Sequence, residues 1–152
     1  LELYEATGIT MSEQLRRSRE NPSPYDVYLL TLDFRDRQAL YERIDRRVDF
    51  MLEAGLLEEA RRLLDMPYAA TAMQAIGYKE WIPYFEGTLS LDETVENIKR
   101  GTRRYAKRQL SWFRRMGYAH PLYVDDYAAP QEIYEEALRR VTEHYSIKEE
   151  PR

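Results

Sequence analysis

Between Asn97 and Tyr118 the chain carries eight cationic side chains, Lys99, Arg100, Arg103, Arg104, Lys107, Arg108, Arg114 and Arg115, and no carboxylate. Guanidinium and ammonium groups at this density are suited to holding anions, phosphates above all, through charge-assisted hydrogen bonds. The whole chain has a formal charge of −4, so this basic stretch stands on an acidic body, and a polyanion would meet it at one place. A solvated helix face has the same composition, and charge alone leaves both readings open. Arg43 and Arg47 form a second set, one helical turn apart. They read either as surface partners of Glu42, Asp45 or Asp49 or as a paired guanidinium clamp for a phosphate.

These groups need an element to aim them, and the spacing supplies a helix. At 100° per residue, Val95, Ile98, Thr102, Tyr105, Ala106, Leu110, Trp112 and Phe113 share about half of the wheel. Arg100, Arg103, Lys107 and Arg114 line one edge of that half, and Arg104, Arg108 and Arg115 lie opposite. Gln109 breaks the pattern, because it points into the middle of the apolar half. A buried amide without partners loses roughly 1–3 kcal/mol. Gln109 is therefore either tied to backbone in the core or placed to meet something that enters from that side. Ser90 and Glu93 form a capping box that starts the helix, and Gly117 ends it. Gly101 costs it about 1 kcal/mol relative to alanine, so it either weakens the helix or admits a partner's backbone.

The rest of the chain reads as more helix with little strand. Leu1, Leu3 and Tyr4 look like the end of an amphipathic helix stopped at Gly8, and a start in mid-pattern predicts a piece of something longer. A short polar helix is predicted at Ser12–Arg19, a loop at Asn21–Pro24 and a buried strand at Tyr25–Leu32. A helix capped by Asp33 or Asp36 should reach Ala54 with Leu40, Ile44, Val48, Met51 and Leu52 inward, and a second should run from Leu56 to Leu64. Pro67 breaks the chain, and Thr71 with Gln74 is a candidate capping box. Gly77 amid apolar residues marks a bend or a close approach, beside the aromatic and cation of Tyr78 and Lys79. Pro121–Val124 is a second strand candidate. A last helix starts at Pro130 with Ile133, Tyr134, Ala137, Leu138, Val141 and Tyr145 on one face, and the tail 147–152 should fray.

Composition removes several classes of function. The 152 residues suffice for about one domain, with 43% apolar and 12% aromatic residues for a core. There is no cysteine, so no disulfide or cysteine-ligated metal, and His120 and His144 lack metal-site spacing. No glycine precedes a lysine, so this chain has no phosphate-gripping P-loop, and no Gly-x-Gly-x-x-Gly occurs. No serine–histidine arrangement suggests a nucleophile, and the neighbouring pairs Glu58/Glu59 and Asp125/Asp126 read as surface acids. A helix-turn-helix forced onto residues 71–116 would spread its cations along the whole second helix instead of its start. No apolar run approaches the length of a membrane span, and no secretory signal is expected.

Longer blocks then narrow the function. QAIGYKE at 74–80, EGTLSLDE at 86–93 and TRRYAKRQLSWFRR at 102–115 resemble the C-terminal portion of the tRNA dimethylallyltransferase (tRNA isopentenyltransferase) family. YERIDRRVDFMLEAGLLEEARRLL at 41–64 and the opening LELYEATGITMSE are similar to the same family, so the resemblance covers roughly residues 1–118. It implies transfer of a dimethylallyl group from dimethylallyl diphosphate to the exocyclic amine of the adenosine 3′ of the anticodon, with that base flipped out of its loop. It also implies a P-loop-kinase-like α/β fold with a magnesium ion, and a helical region holding the anticodon arm.

The family's phosphate loop and general base would lie before Leu1. The fold expected here is therefore mainly α with one or two short strands, with the phosphate-loop half absent. The chain is divided as 1–24 (end of a helical insertion and loop), 25–118 (core strand and helices) and 119–152 (strand and helix). No catalytic residue and no metal ligand is assigned, magnesium belonging to the full-length enzyme, and the chain alone is expected to be inactive. By resemblance, Met73, Gln74, Ala75, Ile76, Gly77, Tyr78, Lys79, Arg103, Arg104, Lys107, Arg108 and Gln109 would bind tRNA, and Arg43 and Arg47 the diphosphate. Tyr105, Trp112 and Phe113 are assigned to the core rather than to base stacking. Expected partners are the tRNA anticodon stem-loop and dimethylallyl diphosphate in the cytoplasm, with no membrane, and self-association through an exposed strand edge at 25–32. A standalone RNA-binding module and a domain binding an acidic protein remain the alternatives.

Overall fold

The computed structural model describes residues 2–18, 20, 23–66, 71 and 74–146. Leu1, Arg19, Asn21, Pro22, Pro67, Met73 and the tail 147–152 lie outside the described residues, so the expectations placed on them have no structural counterpart. In chain order the elements are α1 (Glu2–Thr7), α2 (Met11–Ser18), β1 (Leu29–Asp33), α3 (Arg37–Glu53) and α4 (Leu56–Leu64). A 3₁₀ turn at Lys79–Trp81 then runs into α5 (Ile82–Phe85), followed by α6 (Leu91–Phe113) and β2 (Ala119–Tyr123). A second 3₁₀ turn at Val124–Asp126 leads to α7 (Pro130–Ser146).

The long helices begin where their caps are. Asp36 accepts the Gln38 amide N–H at 2.8 Å and starts α3. Ser90 and Glu93 exchange the reciprocal bonds of a capping box and start α6. Apolar faces then fix the packing. Val48 of α3, Leu56 and Ala60 of α4, Trp81 and Ile98 of α6 form one buried cluster, with Met51, Leu52, Tyr78, Tyr84, Phe85 and Val95 against it. Two ion pairs close α6 onto α3 beside that core, Lys99–Asp49 at 2.5 Å and Arg103–Asp45 at 2.6 Å.

β1 and β2 pair in parallel with Leu29 opposite Ala119 and Asp33 opposite Tyr123. The predicted strand at 25–32 therefore starts late. Tyr25 and Val27 are 78% and 65% exposed, because only residues facing β2 find a ladder, and apolar composition alone cannot show where the partner begins. The second strand runs over 119–123, two residues earlier at its start than Pro121 suggested. Pro121, lacking an N–H, is tolerated in it at a sheet edge.

α7 closes over the sheet. Arg140 donates to the Pro121 carbonyl at 3.1 Å, and the Tyr145 hydroxyl donates to the Asp26 carbonyl at 3.1 Å. The Tyr28 ring stacks with both histidines, 4.3 Å from His120 and 4.5 Å from His144. Only part of the predicted apolar face of α7 is covered, since Tyr134 and Leu138 are 60% and 52% exposed. The Glu136 carboxylate bridges Arg139 and Arg140, and these guanidiniums pull it down to about 2. A carboxyl held below its ordinary value of 4.5 contributes stability at higher pH and loses it as pH falls. The expected result is a Glu136 carboxyl titration midpoint near 2 by NMR, and unfolding free energy that rises with pH between about 2 and 4.5. A midpoint at the ordinary value would refute it. Among the described residues no helix is long and apolar enough to cross a membrane.

Candidate functional site

Among the hollows alongside α6, three are lined by its predicted site residues, and the helical period decides which side chain faces which. The first is a groove of about 770 Å³ between α3 and α6, closed at one end by the Gln74–Gly77 segment. Leu40, Ile44, Arg47, Val48 and Met51 line it from α3, and Ile98, Thr102, Tyr105, Ala106 and Gln109 from α6. The second, of about 470 Å³, lies on the other side of α6 and contains Lys79, Arg100, Arg104 and Arg108 with Ile76, Glu80 and Pro83. The third, also of about 470 Å³, sits at the end of β1, where Arg35, Arg37, Lys107 and Arg114 gather around Tyr41, Leu110 and Ser111.

Three consecutive residues thus separate. Lys107 faces the cup at the end of β1, Arg108 the basic groove and Gln109 the apolar groove, as 100° steps require. Gln109 is exposed, so its odd place on the apolar side of the wheel is explained by an open groove and not by a buried amide network. The same opening corrects the core assignment of two aromatics. Tyr105 is 44% and Trp112 56% exposed, because α3 and the Gln74–Gly77 segment cover only part of the apolar half of α6. Phe113 is half-buried and meets Trp112 edge-on at 5.0 Å.

The remaining predicted residues fall into distinct positions. Gln74, Ala75, Ile76 and Gly77 border the apolar groove together with Arg47. Arg43 instead lines a fourth hollow of about 650 Å³ between β1, α3 and α7, so the two arginines do not clamp a single pocket. Tyr78 donates its hydroxyl to Glu59 at 2.9 Å, and that bond raises its pKa. Arg103 bonds Asp45 at 2.6 and 2.8 Å and Glu96 at 2.8 Å, which ties it into the fold. Among the described residues no ion pair engages Arg43, Arg47, Arg104, Lys107 or Arg108, whereas Lys99, Arg103 and Arg114 each hold an aspartate.

Sequence reading missed the group that shapes the segment at 74–77. Glu80, 11% exposed at its side chain, accepts the Gly77 N–H at 2.8 Å. Gly77 has φ +94, a conformation open to glycine and strained for other residues. A Cβ built on Gly101 would lie 3.3 Å from Glu80 Oε1. Gly101 is therefore the clearance that lets Glu80 sit against α6. Asp125 and Asp126 are not idle surface acids either. Asp125 accepts the Arg35 and Asp36 amides at 3.0 and 2.8 Å, which lowers its pKa, and Asp126 holds the Arg35 guanidinium at 2.8 Å. Only tertiary pairing exposes either role. Among the described residues no three His, Asp or Glu side chains come together as a metal site.

Comparison with known proteins adds the family. The family model "IPP transferase" matches residues 1–116. The tRNA dimethylallyltransferase of Caldanaerobacter subterraneus subsp. tengcongensis is 47% identical over 139 residues, 89% of this chain and 44% of that protein. That of Streptococcus sanguinis is 57% identical over 98 residues, 64% of this chain and 33% of that protein. The crystal structure of the full-length tRNA isopentenylpyrophosphate transferase from Bacillus halodurans superposes with a TM-score of 0.71 at 33% identity, covering 99% of this chain and 54% of that one. The chain spans less than half the length of the curated relatives it matches.

Proposed function

The chain belongs to the IPP transferase family, and from that membership and its grooves we propose that it forms the nucleic-acid side of a tRNA dimethylallyltransferase. In that reaction the exocyclic amine of an adenosine attacks the allylic carbon of dimethylallyl diphosphate. A nitrogen–carbon bond forms, the carbon–oxygen bond to diphosphate breaks, and diphosphate leaves with the electron pair while the amine gives up a proton. The observation that carries the reading is convergence. Gln109, Arg47 and the Gln74–Gly77 segment, from three separate parts of the sequence, border one largely apolar groove.

An apolar groove with few polar groups suits a flipped base and a five-carbon chain, which have large apolar faces and few hydrogen-bonding edges. Gln109, with one amide acceptor and two donors, is assigned to the base edge. Arg47, with no carboxylate partner among the described residues, is assigned to the diphosphate as charge builds on it. The acid–base step and any magnesium chemistry are assigned to parts of a full-length protein outside this sequence, which acts on tRNA in the cytoplasm. The free edge of β1 beside Leu32, 60% exposed, supports self-association of this chain taken alone.

The test is Gln109→Leu in a protein of the relatives' full length that carries this sequence. Prenyl transfer to an anticodon stem-loop is expected to fall roughly 10–100-fold, with the melting temperature unchanged because the side chain is exposed. Unchanged turnover would remove Gln109 from the site. Absence of prenyl transfer by the parent protein would remove the proposed function.

A further inference from the structure

We infer that Asp125, with Asp126 beside it, is a positioning residue for prenyl transfer. The pair clasps the turn between β1 and α3 and so sets where Leu40 walls the Gln109 end of the apolar groove. This rests on the function proposed above, in which Gln109 meets the base edge. It gives a role to a segment that lies beyond the residues matched by the family model.

The turn at 34–36 has all three of its amides on carboxylates. Asp33 accepts the Phe34 N–H at 2.7 Å, and Asp125 accepts those of Arg35 at 3.0 Å and Asp36 at 2.8 Å. Asp125 stands in the 3₁₀ turn after β2, 90 residues from Arg35 in sequence. Asp126 takes the Arg35 guanidinium at 2.8 Å, and that guanidinium lies 4.0 Å from the centre of the Tyr123 ring. Backbone and side chain of one residue are thus gripped together by the segment after β2. Hydrogen bonds to ionised carboxylates are about twice as strong as neutral ones, so the grip is firm although its parts are exposed.

The clasp meets α3 at its first turn. Asp36 caps the helix through its side chain, and its carbonyl accepts the Leu40 N–H at 3.3 Å. A displaced Asp36 therefore carries Leu40 with it. The ion pairs that fix α3 onto α6 lie further along, at Asp45 with Arg103 and Asp49 with Lys99. The first turn is left to its cap and the clasp.

Those two ion pairs also give the register of the helices. Moving four residues back on α3 moves four forward on α6, so the helices are antiparallel and Leu40 stands level with Arg108 and Gln109. The linings agree. Leu40 and Gln109 share the apolar groove, and Leu40 and Lys107 share the cup at the end of β1. Leu40 is the wall between these two hollows. A wall out of place lets a bound base tilt off the line of attack, and misplacement of about 1 Å is costly in rate.

The test uses a protein of the relatives' full length that carries this sequence. Asp125→Ala is expected to lower kcat for prenyl transfer to an anticodon stem-loop about 10-fold. KM for the RNA and for dimethylallyl diphosphate should stay within about two-fold. Asp125→Asn, whose amide oxygen still accepts a backbone N–H, should recover most of the loss. Because Asp125 acts through Leu40, adding Asp125→Ala to Leu40→Ala should cost less than about two-fold more. Losses that multiply in the double variant, or an active parent whose kcat Asp125→Ala leaves unchanged, overturn the positioning role and leave the proposed function standing. If Asp125→Ala does not fold, Asp126→Asn enters the same cycle with an expected fall of about three-fold. A parent without prenyl transfer overturns both.

Discussion

Replacing Trp81 by alanine is expected to lower the unfolding free energy by about 3–5 kcal/mol, a large share of the 5–15 kcal/mol typical of a domain. Trp81 is fully buried at the centre of the core, against Val48, Leu56, Ala60 and Ile98, with Phe85 stacked at 6.2 Å and Tyr84 edge-on at 5.7 Å. It is also the residue after Glu80, so the ring that fills the core anchors the turn that borders the apolar groove. Trp81→Phe is expected to behave differently. The indole N–H has no hydrogen-bond partner among the described residues, and an unmade buried hydrogen bond costs about 1–3 kcal/mol. Removing it offsets part of the lost packing, so phenylalanine should cost about 1–2 kcal/mol. Urea denaturation of the two variants decides the matter. Equal losses would show that the indole donor is satisfied in solution.

The position of Trp81 marks where the sequence was easy to read and where it was not. Helices with a period and a cap were legible: α6 starts at the Ser90–Glu93 box, and α3 starts at Asp36. The family blocks were legible as well, because they are long and specific. What could not be read was anything decided by a distant partner. The strand at 25–32 had the composition of a strand throughout, yet pairing begins only at Leu29, where β2 lies alongside. Tyr105 and Trp112 sit on the apolar half of their wheel, yet the described residues cover them only in part.

The candidate site shows the same division. Adjacent residues in a motif invite being read as a unit, and Lys107, Arg108 and Gln109 were grouped in that way. The helix sends them to three hollows. Arg103, chosen for its place in the basic block, is bound to Asp45 and Glu96, while Arg100, passed over, faces the groove. Charge density locates a binding helix. Which cations remain available depends on acids far away in sequence, here Asp45 and Asp49, fifty or more residues before their partners.

Replacing Gly77 by alanine is expected to reduce prenyl transfer by about 100-fold in a full-length protein that carries this sequence, while costing only about 1–2 kcal/mol of stability. Space is not the obstacle, because a Cβ at Gly77 would meet no atom within 4 Å. The backbone is, since φ is +94 there and L side chains raise the energy of that region. The segment can keep its shape and lose stability, or relax to negative φ and give up the Gly77 N–H to Glu80 bond at 2.8 Å. Relaxation would swing Ile76 and Ala75, which border the apolar groove, and small misplacements of a reacting group are costly in rate. Gly87 provides the control. Its φ is +73, and a Cβ there also meets nothing within 4 Å, but it lies in an exposed turn outside the three hollows along α6. Gly87→Ala should therefore show a similar loss in melting temperature with turnover nearly intact. If both variants lose turnover equally, the effect of Gly77 is general destabilisation, and the segment does not shape the groove for catalysis.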